Sequence, residues 1–422
     1  MSLIRQVASN TALLSGAQIV SPMTSVLLVS AIARSQGAEG LGRYALVLAI
    51  FYMASSLGAL GLDKAISRSL ARQRHRASDF FSVLTVAGVF MGLLATGGAL
   101  GFSALSHGPD VQHALGIMAF AIVPSVLITH YESIFMAFHK AKYVALIAVS
   151  ENVAKVAIGV AALLAGAGIE AIFVTIAGLR FATLVVYWIA FRTSIAPVTF
   201  GFDAMIAREL RDVSPIFVSE QVLGTVVNRL DILMLAQYAD MATVGYYSAA
   251  LRLVEIARLV PSSFMRAALP AMSETLAQQT QDCRQLLRTS VRYMSLYALA
   301  AVAGTWLLAS LMLRILYGPG FESAEPLLRL LALVLIPGTM GSVFASLMLA
   351  GNLEALNLAA QVSGMLLRVV LCVLLIPVWS ATGAAISVVA SQVLFIATLM
   401  LLLVRVGTTR NRAIGEVLRM AP

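Results

Sequence analysis

Apolar residues run along this chain in stretches of about twenty or more, separated by short polar breaks. A helix crossing the hydrocarbon core of a bilayer needs about 20 such residues. Cutting the chain at its polar breaks gives twelve stretches: 8–33, 43–62, 80–105, 113–137, 144–165, 170–192, 213–236, 243–268, 289–313, 326–350, 356–378 and 383–404. The runs lack the period-two alternation of membrane strands, which argues against a barrel. Breaks as short as Gly166-Ala167-Gly168 and Ser380-Ala381-Thr382 force tight antiparallel helix pairs. The pattern predicts an all-α membrane protein with twelve transmembrane helices.

A duplication divides the twelve. Gly42-Arg43-Tyr44 opens the second stretch and Gly245-Tyr246-Tyr247 the eighth, an offset of 203. Pro124 in the fourth answers Pro337 in the tenth, an offset of 213. The expected plan is two six-helix lobes, parallel pseudo-twofold repeats around a central cavity. The N-terminal lobe covers 1–192, a cytoplasmic linker 193–212, the C-terminal lobe 213–404 and a cytoplasmic tail 405–422. Rocking of two such lobes gives alternating access, so the plan is a transporter's.

Composition agrees. Of 422 residues, 60% are hydrophobic and only 49 are charged, 29 basic and 20 acidic. That is about half the charged share of a soluble protein, which excludes a soluble enzyme, a disordered chain and a nucleic-acid-binding protein. The net charge of +9 is explained by topology. With a cytoplasmic N-terminus, 19 basic residues fall in cytoplasmic segments, among them Lys64, Arg68, Arg72, Arg74 and Arg76. Only Arg34, Arg43 and Arg314 fall on the other side, so the positive-inside rule puts both termini in the cytoplasm. The run 8–33 is longer than a signal-peptide core and has no small-residue cleavage site, so it is expected to be a retained span. Cys283 and Cys372 are far apart, and neither a disulfide framework nor a metal site is expected. There is no G-x-x-x-x-G-K-[ST] loop and no H-E-x-x-H, and extramembrane segments reach only about 20 residues. Neither an enzyme nor a cofactor is expected.

Seven cations lie inside the stretches: Lys155, Arg180, Arg229, Arg252, Arg258, Arg329 and Arg368. The acids are five: Glu132, Glu151, Glu220, Asp231 and Glu255. A charge in a bilayer costs about 2.5–3.5 kcal/mol even on the lenient insertion scale, so each must face protein or a watery cavity. Arg252, Glu255 and Arg258 are spaced three apart on one helix face. Counted from the outer boundary they run from roughly 13 to roughly 22 Å deep, and Arg229 in the neighbouring span comes to the depth of Arg252. They either line a cationic cavity, or Glu255 neutralises an arginine and the cluster only locks helices. Lys155 has Glu151 one turn earlier, while Arg180 and Arg368 have no acid close in sequence. Arg329 lies near the outer boundary, where it can snorkel to headgroups. Asp231 and Glu220 share a helix face opposite Arg229, and either pack against neighbouring helices or bind a coupling cation. His130 and Glu132 either relay protons or are simply hydrogen-bonded.

GLGRY (40–44), GLDKAISRSLA (61–71), NRLDILML (228–235), VGYYSAALRL (244–253), YGPGFESAEPLL (317–328) and IPVWSATGAAIS (376–387) resemble, in order and spacing, the Wzx-type polysaccharide flippases. That family lies in the superfamily of multidrug, oligosaccharidyl-lipid and polysaccharide exporters. The resemblance implies a flippase of a bacterial inner membrane that turns undecaprenyl-pyrophosphate-linked oligosaccharides to the outer leaflet for surface polysaccharide synthesis. Implied partners are that lipid-linked substrate, membrane lipids, a proton or sodium coupling ion and a polysaccharide polymerase. The substrate-binding candidates are then Arg229, Arg252, Arg258, Arg180, Arg368 and Lys155, since guanidinium groups bind phosphate bidentately. The ion-coupling candidates are Asp231, Glu220 and Glu132. The alternatives within the superfamily are a cation-coupled multidrug antiporter and a lipid II flippase. An antiporter would need an acidic cavity, whereas cations here outnumber acids.

Overall fold

The computed structural model describes the backbone of residues 3–106, 108–197, 203–277 and 281–409. Side chains are described within these ranges except 3–22, 64, 68, 71, 211–220, 222–223, 277, 281–282 and 406–409. Among the described residues there are helices and no strands. The chain forms two compact units, Met1–Gln237 and Tyr238–Pro422.

The first unit holds α1 (Leu3–Gly58), α2 (Asp63–Arg72), α3 (Ala77–Ser106), α4 (Pro109–Ala119), α5 (Ile122–Ala137), α6 (Ala141–Leu164), α7 (Ile169–Ser194) and α8 (Ala204–Tyr238). The second holds α9 (Met241–Ala257), α10 (Leu259–Ala277), α11 (Gln281–Tyr317), α12 (Glu325–Ala332), α13 (Leu335–Ala350) and α14 (Glu354–Thr409). All twelve expected stretches fall in these helices. At 1.5 Å per residue, the 56 residues of α1 or of α14 would be about 84 Å long if straight, nearly three hydrocarbon cores. Each is instead broken once, α1 at Gly37 with φ 68° and α14 at Ser380 with φ 51°. The arms of α14 fold back on each other, with Ser363 Oγ donating to Thr398 Oγ1 at 3.2 Å. A Cβ on Gly364 would stand 2.9 Å from the Ser391 carbonyl, so only glycine allows this approach of the arms. α1 and α14 thus give four crossings. The pairs α4–α5, α9–α10 and α12–α13 give three, and α3, α6, α7, α8 and α11 five.

The repeat shows in the backbone. α4 and α12 end at Ala119 and Ala332, and α5 and α13 begin at Ile122 and Leu335, each with its proline third in the helix. Those helices end in turns where His139 and Asn352 take φ values of 56° and 55°. The next helices begin at Ala141 and Glu354. Every landmark is offset by 213. Earlier in the repeat, the Gly37 break aligns at offset 203 with Asp240, whose carboxylate caps α9 by accepting from the Thr243 N–H at 3.0 Å.

The first unit's core is aromatic, with Phe81 stacked between Tyr131 at 4.5 Å and Phe191 at 4.2 Å. Many large apolar side chains face outward, among them Leu105 (90% exposed), Leu164 (84%) and Leu307 (83%). An apolar surface of this extent is unfavourable in water and at home in lipid. The chain is a multi-pass membrane protein.

At one end of the first unit the interhelical segments are tied together. Lys140 Nζ donates to the Ser194 carbonyl, Ser78 Oγ donates to the Pro197 carbonyl at 2.9 Å, and Arg76 pairs with Asp203. Asp203 caps α8, accepting from the N–H groups of Met205 at 2.8 Å and Ile206 at 3.3 Å. These donors, the Met205 N–H foremost, and the Arg76 guanidinium hold its carboxyl below the usual 3.8.

Candidate functional site

Four helices of the first unit each present a polar stripe at helical spacing to a common interior. On α1 the stripe is Tyr52, Ser55 and Ser56; on α5 it is Ser125, Thr129, Glu132 and Ser133; on α6, Glu151, Asn152 and Lys155; on α7, Arg180, Thr183 and Tyr187. Spacings of three and four put such residues on one face of a helix. Between them lie two recesses, of about 700 Å³ and about 330 Å³. Thr129, Glu132 and Arg180 line both, so the two adjoin.

The charges pair across helices. Arg180 Nη1 lies 3.4 Å from Glu151 Oε1, and Thr183 Oγ1 donates to Glu151 Oε2 at 2.9 Å. Glu151 is therefore bound by α7, rather than only by its own-helix neighbour Lys155. Tyr187 OH donates to Glu132 Oε1 at 3.2 Å. The guanidinium of Arg229, from α8, lies over the Tyr52 ring at 5.5 Å, a cation–π contact. Tyr52 and Arg180 line the larger recess, and Arg180, Lys155 and Glu151 the smaller. Three sequence-predicted cations, from three helices, thus lie at the two adjoining recesses: Arg180 on both, Lys155 on the smaller, and Arg229 over a tyrosine of the larger.

The coupling candidates diverge. Glu132 lines both recesses, whereas Asp231 is fully buried in α8, its Oδ1 accepting from the Ile232 N–H at 3.0 Å. The Glu220 side chain lies outside the described residues. His130 is a buried bridge, with Nδ1 at 3.4 Å from the Leu84 carbonyl and Nε2 at 3.3 Å from that of Ala59.

In the second unit Arg252 Nη1 meets Glu255 Oε2 at 3.0 Å, an i,i+3 ion pair. Arg258 stands at the break between α9 and α10. Arg329 pairs with Glu325 at 2.6 Å. The repeat makes Arg368 the counterpart of Lys155, at offset 213. Sequence reasoning did not single out Tyr52, Thr183, Tyr187 or the hydroxyl row of α5. Their signal was the stripe spacing, which is weak beside a charge in an apolar run.

The family model for polysaccharide biosynthesis proteins matches residues 7–276 of this chain. No curated protein matches by sequence. Among solved structures the chain resembles the lipid II flippase MurJ in an inward closed conformation, at a TM-score of 0.79 and 14% identity over 96% of this chain and 90% of that one. It also resembles a multidrug resistance MATE family transporter of the MOP superfamily in its inward-facing conformation, at 0.74 and 14% over 96% of both chains. A third is a MOP superfamily transporter from Pyrococcus furiosus, at 0.64 and 15% over 96% of both. These likenesses establish a shared fold.

Proposed function

We propose that this chain, which belongs to the polysaccharide biosynthesis protein family, flips undecaprenyl-pyrophosphate-linked oligosaccharide across a bacterial inner membrane by alternating access. The observation that carries this reading is a pair of adjoining polar recesses inside a membrane-spanning unit, lined by Arg180 and Lys155, with Arg229 stacked on Tyr52 at the wall of the larger. A diphosphate is an acceptor-rich dianion, and cations held in a low-dielectric slab are its natural partners. Arg258 and Arg368 supply the second unit's cations, and Arg252 joins them only if it is released from Glu255. In this reading the lobes are 1–192 and 213–404, joined by the cytoplasmic linker 193–212 and followed by the tail 405–422, with both termini cytoplasmic. The chain transports and does not catalyse. Glu132, Asp231 and Glu220 are the candidates for binding a proton or sodium ion, and a polysaccharide polymerase consumes the product. Against a drug antiporter stands the engagement of the two recess acids that lie within spans, Glu132 by Tyr187 and Glu151 by Arg180 and Thr183.

Binding of farnesyl pyrophosphate to the purified full chain in detergent tests the reading. Losing one charge-assisted contact costs about 1.5–3 kcal/mol, so Lys155→Ala or Arg229→Ala should weaken binding roughly 10- to 150-fold. Arg229→Lys, which keeps charge and loses the fork and the stacking on Tyr52, should fall between. Unchanged affinity in both alanine variants would overturn the assignment.

A further inference from the structure

The start of α11 carries a row of charge that the recesses leave unused. Arg284, Arg288 and Arg292 follow one another at spacings of four, which places three guanidinium groups along one face of the helix. Cys283, Leu287 and Met294 turn the other way, into the core of the second unit. Arg288 and Arg292 are exposed, and none of the three arginines has a hydrogen bond or ion pair among the described residues. Like charges at i,i+4 destabilise a helix. The acid nearest in sequence, Asp282, stands two before Arg284, a spacing at which side chains do not face each other.

The first unit treats its cations differently. At the start of α3, the counterpart of α11 in the repeat, Arg76 pairs with Asp79 at 3.7 Å and with Asp203, and Arg74 lies over the Phe138 ring. Left in a row without such partners, the arginines of α11 point to an anion from outside the chain.

The face they occupy selects that anion. At further spacings of four and three the row continues into Leu296 and Leu299, which are 55% and 59% exposed and stand in the apolar stretch 289–313. Exposed leucines in a spanning helix face lipid, so the guanidinium row runs into a lipid-facing row. From Arg284 to Arg292 is about 12 Å, and the headgroup layer on each side of the hydrocarbon is roughly 5–8 Å deep. Arg288 and Arg292, the two nearest the apolar stretch, therefore reach that layer. Tyr293 beside them is exposed, an amphipathic ring suited to the same depth. A soluble acidic partner would meet a face turned to water, whereas this one turns to lipid.

We propose that the start of α11 binds an anionic phospholipid, its headgroup phosphate held by Arg288 and Arg292 and its acyl chains lying along Leu296 and Leu299. The site is separate from the recesses and does not depend on the flippase reading.

The test measures binding of dioleoyl phosphatidylglycerol and of zwitterionic dioleoyl phosphatidylcholine to the delipidated full chain in detergent. Wild type should prefer the anionic lipid. A basic side chain near a membrane surface is worth about 1 kcal/mol, so Arg288→Gln and Arg292→Gln should each cut that preference roughly fivefold, and together roughly 25-fold. Arg72→Gln, which removes the same charge from an exposed position on α2, should leave it unchanged. Without lipid, both α11 variants should melt at or above the wild-type midpoint, because a like-charge contact is relieved; lost binding then cannot be lost folding. Equal affinity for the two lipids, or a preference that both variants keep, would sink the proposal. An equal loss in Arg72→Gln would do the same, by showing diffuse attraction to a basic surface. If farnesyl pyrophosphate displaces phosphatidylglycerol and itself binds more weakly in both α11 variants, the row receives lipid-linked substrate and the phospholipid assignment is wrong.

Discussion

At the scale of single residues, the cations were legible because each is costly in an apolar run, and a costly residue that persists has a reason. Their partners were less legible. Sequence offers Lys155 as the neighbour of Glu151, yet Arg180 from the next helix takes that carboxylate at 3.4 Å, a pairing that no periodicity contains. For Arg252 two readings were open, and the 3.0 Å bond to Glu255 favours the ion pair. This has a consequence that can be measured in purified protein. Arg252→Ala should lower the thermal midpoint in detergent by leaving Glu255 unpaired, and Glu255→Ala in the same background should recover most of the loss. The coupling energy expected of contacting residues is on the order of 1 kcal/mol. If the double mutant is instead as unstable as the sum of the singles, the pair contributes nothing and Arg252 returns to the candidates for phosphate binding.

At the scale of elements, hydropathy located all twelve spans but not the breaks within three of them. Ala119 to Ile122 and Ala332 to Leu335 are apolar throughout, so a bend of 42° between α4 and α5 leaves no polar mark. The trace is proline: Pro124 and Pro337 lack the N–H that a continuous helix would need, and each sits in the first turn of a new one, where none is required. The break in α14 has a different origin. Ser380 takes φ 51° and ψ −130°, a region that glycine occupies freely and other residues only under strain. Such strain costs about 1–3 kcal/mol, which exceeds the entropy glycine adds to the unfolded chain. Ser380→Gly should therefore raise the thermal midpoint by about 1–2 °C, read by a thiol-reactive dye or scattering melt. A lower midpoint would mean that the Ser380 side chain holds the turn more firmly than its backbone resists it.

At the scale of the whole molecule, charge predicts an orientation, and the contacts within the first unit group the segments as that orientation expects. Segments expected in the cytoplasm are bound to one another: Arg76 to Asp203, Lys140 to the Ser194 carbonyl, and Arg74 over the Phe138 ring at 5.8 Å. Arg43 and Asp110, both expected outside, meet at 3.2 Å. The two sets belong to opposite ends of the same helices, as a crossing unit requires. Which end faces the cytoplasm is a matter for labelling in intact cells. With Cys283 and Cys372 replaced, His75→Cys should resist a membrane-impermeant maleimide and Ser323→Cys should react with it, since both positions are exposed in the fold. The excess of 19 basic residues over three makes the reverse energetically unfavourable, because cytoplasmic retention of Lys and Arg sets the orientation as spans insert. If His75→Cys reacts in intact cells while Ser323→Cys is protected, the chain is inverted. The end of the recess lined by Asp63 and Ser67 would then lie toward the outside, and the direction of transport proposed above would reverse with it.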